Sequence, residues 1–145
     1  MYSAEHALGR MKAEGLLSDV TTECYNYEAA WSNGAELDKE LVEAVGSADY
    51  LILGFFQTPE TLQDPDYIRN TVFDEILQYA KTDKIAIIWE YLPYKTEKYS
   101  SEYPCFVIYN SVGTAQKDVG AEIYTDKYGP AIPAAMKAIF GKAKA

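Results

Sequence analysis

The stretch Lys84–Asn110, KIAIIWEYLPYKTEKYSSEYPCFVIYN, decides the fold. It opens with Ile85, Ala86, Ile87, Ile88 and Trp89, an unbroken apolar run of strand length. It closes with a second run, Cys105 to Tyr109. A run that is apolar at every position, rather than at alternate ones, predicts a strand covered on both faces, as in a parallel sheet. Between the runs lies a polar segment rich in tyrosine, Glu90 to Pro104. In open α/β sheets, chemistry gathers at the carboxyl ends of the strands. Glu90, Tyr91, Tyr94 and Asn110 are therefore the first candidate functional residues.

Upstream, Ala48 to Phe55 (ADYLILGF) predicts another buried strand. The loop that follows, Phe56 to Asp64, carries Gln57, Thr58, Glu60 and Thr61 and is expected to share a rim with Glu90 and Asn110. Asp64 and Pro65 read as an N-cap followed by the favoured first-turn proline. Ile68, Val72, Ile76 and Ala80 then run along one helical face to an end near Thr82. Before the Ala48 strand, Asn33 and Glu36 have capping-box spacing, Leu37, Leu41, Val42 and Val45 form a helical stripe, and Gly46 is the expected stop. Nearer the amino terminus, Ser3 to Glu14 reads as a helix with Ser3 capping its start and Gly15 ending it, and Val20 to Tyr27 as a strand.

Beyond Asn110, Ser111 to Gln116 suits a short helix and Glu122 to Thr125 a short strand. Pro130 and Pro133 introduce a last helix with Ile132, Met136, Ile139 and Phe140 at compatible spacing, stopped by Gly141. Helices alternating with four apolar runs predict an α/β fold. The default architecture is a three-layer α/β/α sandwich with a mostly parallel sheet, flavodoxin-like. Without repeats or low-complexity linkers, residues 1–145 are expected to form a single domain.

Composition narrows the function. The 145 residues are 48% apolar and 24% charged, ordinary for a globular protein. A net charge of -9 disfavours nucleic acid and anionic membrane surfaces as partners. No run is long enough to span a bilayer, and no basic leader precedes an apolar segment, so a soluble polypeptide is expected, in either a cytoplasmic or a secreted setting. Cys24 and Cys105 form no CxxC pair and read as buried free thiols. With His6 as the single histidine, a Ser-His-Asp triad or a histidine metal site has almost no basis.

No GxGxxG, P-loop or GxSxG pattern is present, and the FFQTPE turn lacks the residues that cradle a flavin phosphate. No cofactor or metal is expected. Acidic residues crowd the presumed rim: Glu60, Asp64, Asp66, Glu90, Glu97 and Glu102. With 22 acidic residues in the chain, most are simply solvated surface charges. Glu90 differs because it directly follows a buried strand, where desolvation raises a carboxyl pKa. Thirteen tyrosines read first as amphipathic packing at the core's rim, and alternatively as a surface suited to sugar or protein contact.

Two motifs carry a resemblance. LPYK (Leu92–Lys95), entered from IIWEY, and YGPAIPAAMKAIFG (Tyr128–Gly141) are similar to segments of the carboxyl-terminal α/β-sandwich domain of glycoside hydrolase family 3, the β-glucosidase and β-N-acetylhexosaminidase family. CFVIYN and ELVEAVGSADYLILGFF resemble further steps of that domain, so the likeness covers roughly residues 36 to 141.

The resemblance implies an accessory domain that packs on a (β/α)8 barrel, in the same or a sister chain, and shapes its sugar pocket without being catalytic alone. Such a barrel needs about 250 residues. The domain's opening strand is expected to be missing here, and Lys95 stands where the family's turn carries an acid. Some branches lend the barrel an acid/base glutamate from this domain. Glu90 and Glu60 are the candidates for that role, while Tyr91, Tyr94 and Asn110 are the implied sugar contacts. The alternative from the residues alone is a free-standing carbohydrate- or protein-binding module with a tyrosine-rich rim. A truncated sheet also predicts a homodimer through its exposed strand edge.

Overall fold

The structure, a computed structural model, describes residues 2–25, 37–57, 68–91, 93–94, 96–108 and 131–142. In chain order the elements are α1 (Tyr2–Ala13), α2 (Lys39–Ser47), β1 (Leu51–Gln57), α3 (Ile68–Tyr79), β2 (Ile85–Tyr91), α4 (Glu97–Ser100), β3 (Cys105–Ile108) and α5 (Ala131–Ile139). The fold class is α/β, with a parallel three-stranded sheet in the order β1-β2-β3. The chain gathers into two compact units, Tyr25–Phe106 and a second made of Met1–Cys24 with Val107–Ala145.

In the first of these units β2 is the middle strand. Ile85, Ala86, Ile87, Ile88 and Trp89 are all at most 7% exposed, which is the two-faced burial their sequence predicts. The parallel register runs from Leu51 opposite Ile85 to Gln57 opposite Tyr91. Its amino end is fixed by short-range bonds. The Leu51 N–H donates to the Lys84 carbonyl at 3.0 Å, and the Thr82 hydroxyl donates to the Asp49 carbonyl at 2.9 Å. That hydroxyl also accepts from the Lys84 N–H at 3.1 Å. On the other side of β2, the Ile87 N–H donates to the Pro104 carbonyl at 2.9 Å.

Helix α2 begins at Lys39. Asp38 caps it, accepting from the Glu40 N–H at 2.9 Å. Leu41 and Val45 are its buried stripe, and it packs against α3. Gly46 lies inside this helix, which ends one residue later at Ser47, because its backbone is helical and needs no left-handed stop. A Cβ there would meet the Tyr79 carbonyl at 3.7 Å, so the glycine lies where α2 approaches the end of α3.

The other unit pairs α1 with α5. Ala7, Leu8 and Met11 on α1, and Ala135 and Met136 on α5, are buried. Lys137 Nζ lies 3.2 Å from Glu14 Oε2. Both helices end in the same way. Gly15 (φ 70°) donates to the Lys12 carbonyl at 3.0 Å while Leu16 donates to Met11 at 2.8 Å. Gly141 (φ 65°) donates to Ala138 at 2.9 Å while Lys142 donates to Lys137 at 2.7 Å. These are Schellman caps, and only glycine takes the left-handed position without steric cost. Pro133 sits in the first turn of α5, where its missing N–H is harmless.

Several expectations are corrected. Residues 20–25 form no strand: Val20 and Tyr25 remain 38% and 39% exposed, and β-branched or aromatic residues favour strands only where a pleated, half-buried surface receives them. Ser3 lies within α1, not before it, because that helix already includes Tyr2. The helix α4 interrupts the segment between β2 and β3. Asn33, Glu36, Asp64, Pro65, Ser111 to Gln116 and Glu122 to Thr125 lie outside the described residues.

Two stability tests follow from this packing. Ile87 is 0% exposed at the centre of the middle strand, so Ile87→Ala should lower unfolding stability by about 2–5 kcal/mol in urea denaturation. Gly141→Ala should cost about 1 kcal/mol by the same measurement, since the substitution forces a Cβ into left-handed backbone.

Candidate functional site

The parallel register brings Phe56 beside Glu90 and Gln57 beside Tyr91, so the carboxyl ends of β1 and β2 lie level. Alternation along β2 puts Ile85, Ile87 and Trp89 on one face and Ala86, Ile88 and Glu90 on the other. Glu90 is thus the first polar side chain on its face after two buried apolar ones. Its Oε2 atom is buried and has no hydrogen-bond partner among the described residues. Burial pushes its carboxyl above the ordinary glutamate range, because a charge is harder to hold away from water. Next to Ile88 in the register, Gly54 is exposed, and a Cβ there would meet nothing within 4 Å.

Tyr91 is the last residue of β2. Tyr94 follows in a tight turn and is 68% exposed, more than any other large hydrophobic residue among those described. The turn closes on the Pro93 carbonyl, which accepts from the Thr96 N–H at 3.1 Å and from the Thr96 hydroxyl at 2.8 Å. Glu60 and Asn110, the other two candidates, lie outside the described residues. Glu90, Tyr91 and Tyr94 are thus placed along the exit of one strand.

Three residues that sequence reasoning did not single out hold that exit. Tyr99, on α4, is buried, with its ring centroid 6.0 Å from that of Trp89. Its hydroxyl donates to Asp74 Oδ1 at 2.9 Å. Lys98 pairs with Asp74 Oδ2, and its Nζ sits 5.2 Å from the centre of the Tyr99 ring. Asp74 belongs to α3, 24 and 25 positions before these partners. No local spacing rule joins positions that far apart, and an ordinary acidic residue on a helix gives no sign of such a partner. The tilted aromatic pair supplies apolar contact, and the hydroxyl bond to a charged acceptor is worth about 1.5–3 kcal/mol. The ion pair is largely solvated and adds about 0–1 kcal/mol.

The two cysteines are free and half-buried. Burial raises both thiol pKa values, and Glu5 raises that of Cys24 further. Among the described residues no group of three or more His, Cys, Asp or Glu side chains is placed to hold a metal ion. No helix among them is long and apolar enough to cross a membrane. No family model, no curated protein and no solved structure matches the chain.

The Glu90 environment sets a pH dependence. Its folded pKa is raised above the ordinary glutamate value that the unfolded chain keeps, so between those two values the folded chain holds a proton that the unfolded chain has lost. Stability contributed by this group is therefore present below the unfolded value and falls as pH rises through the folded one. Glu90→Gln removes the titration. Thermal melts should show the variant gaining on the wild type as pH rises from about 4 to about 8. A constant difference in Tm across that range would contradict this account of Glu90.

Proposed function

We propose that this chain serves as the carboxyl-terminal α/β domain of a family 3 glycoside hydrolase of the β-N-acetylhexosaminidase or β-glucosidase type. It packs on a (β/α)8 barrel and shapes the mouth of its sugar pocket. The observation that best supports this reading is the exit of β2. The middle strand of a parallel sheet runs from a buried apolar run through Glu90 and Tyr91 into Leu92-Pro93-Tyr94, with Tyr94 held outward. That is the strand-to-turn step on which the family resemblance rests. The α5 segment agrees with it, as a proline-bearing helix ended at Phe140-Gly141 by a left-handed glycine.

In this reading the chain has no hydrolytic activity of its own. Glycoside cleavage with retention needs a nucleophile about 5 Å from the acid/base, and the barrel carries that nucleophile. Tyr91, Tyr94 and Asn110 contact sugar. Glu90 and Glu60 are the residues from which an acid/base would be lent. The exposed aromatic at Tyr94 equally suits a free-standing carbohydrate- or protein-binding module, since a tyrosine ring offers a flat apolar face and a hydroxyl.

The test is hydrolysis of an aryl β-N-acetylhexosaminide and an aryl β-glucoside by the chain alone, by a family 3 barrel domain alone, and by the two co-expressed. The chain alone should be inactive, and co-expression should raise kcat/KM of the barrel by roughly tenfold or more through better placement of groups around the sugar. Cleavage by the isolated chain, abolished by Glu90→Gln, would overturn the accessory role in favour of an independent hydrolase. Sugar binding by the chain with no effect on the barrel would favour the free-standing module.

A further inference from the structure

The turn that presents Tyr94 is short, and an exposed ring on a short turn ordinarily samples many orientations. Here its far side is fastened. Five amide donors between Thr96 and Tyr103 are engaged: Thr96 to Pro93, Tyr99 and Ser100 to Thr96, and Glu102 and Tyr103 to Tyr99, at 2.8–3.1 Å. A helix as short as α4 does not hold itself together in water. What anchors it is Tyr99, whose ring lies against Trp89 and whose hydroxyl reaches Asp74 on α3. Lys98 engages the second oxygen of the same carboxylate. Both oxygens of Asp74 are thus committed to α4.

We propose that Asp74 and Tyr99 form a clamp that ties α4 to α3, with Lys98 adding only a solvated ion pair, and so position Tyr94 as a pre-oriented contact for the partner. They are positioning residues, acting through the turn and touching no substrate. The purpose of the clamp rests on the accessory-domain reading, whereas its existence rests on the geometry alone. Holding a contact residue in its bound orientation before the partner arrives reduces the ordering cost of association.

Hydrogen exchange over residues 93–104, read by mass spectrometry on the whole chain, tests the clamp. Tyr99→Phe keeps the ring and removes only the hydroxyl. It should speed exchange of the Tyr99, Ser100, Glu102 and Tyr103 amides roughly tenfold while leaving the β2 amides unchanged. Asp74→Ala should do the same, and the double variant should exchange no faster than either single one, because the two residues share one interaction. Asp74→Asn, which keeps an acceptor for the hydroxyl, should remain near wild type, as should Lys98→Met. Unchanged exchange in Tyr99→Phe and Asp74→Ala would overturn the clamp, as would loss of protection spread equally over β2.

Association with a purified family 3 barrel domain tests its purpose. Tyr94→Ala and Tyr99→Phe should each weaken binding, by roughly tenfold for a contact of this kind, and Tyr99→Phe should add nothing in the Tyr94→Ala background. Equal weakening with and without Tyr94 would show that the clamp does not act through that ring. If the wild-type chain does not bind the barrel at all, the accessory-domain reading fails, and the exchange measurements still decide the clamp.

Discussion

The constraint on which the described sheet depends is the burial of β2 on both faces. Ile85 to Trp89 leave almost no surface to water, so every backbone N–H and C=O along the run must be satisfied by neighbouring strands. The pairing with β1 and the bond from Ile87 to Pro104 meet that demand. It also forces polar chemistry out of the run and onto its ends. The amino end is closed by the Thr82, Lys84 and Asp49 bonds, so the carboxyl end is where the remaining polar groups of this strand gather.

That end is built differently on the two faces of the strand. On the face of Trp89, the exit is packed and fastened: ring against ring, then hydroxyl to carboxylate, then ammonium to the same carboxylate. On the face of Glu90, no such fastening of its Oε2 atom is present among the described residues. A strand of period two makes this division automatic. Residues 89 and 90 are neighbours in sequence, yet they fall on opposite faces, and of the two Trp89 takes part in that fastening.

The fold was legible where local rules decide. The apolar runs at 51–53 and 85–89, the stripe of Leu41 and Val45, and the glycine stops at 15 and 141 are each read from periodicity or from backbone sterics within a few residues. Failures came where the deciding partner was remote or lacking. Val20 and Tyr25 have strand chemistry, yet residues 20–25 lie outside any strand and both side chains stay partly exposed. Gly46 resembled a stop but lies within a helix, where α2 approaches α3. At the candidate site, the buried position of Glu90 followed from its place after an apolar run. The clamp did not, because Asp74 and Tyr99 meet only through the βαβ crossover, and nothing in either residue's own neighbourhood announces the other.

The two carboxylates near this exit show how environment divides one functional group into two roles. Asp74 has one oxygen engaged by a hydroxyl and the other by an ammonium, so both tie it to α4. Its negative charge is compensated, and it acts as a fastening. Glu90 has a buried oxygen with no hydrogen-bond partner among the described residues, and burial favours its protonated form. A buried acceptor without a partner is costly to leave that way, so any donor that reaches it gains more than the same donor would in water. Asp74, by holding α4 in place, keeps the segment beyond Glu90 from wandering.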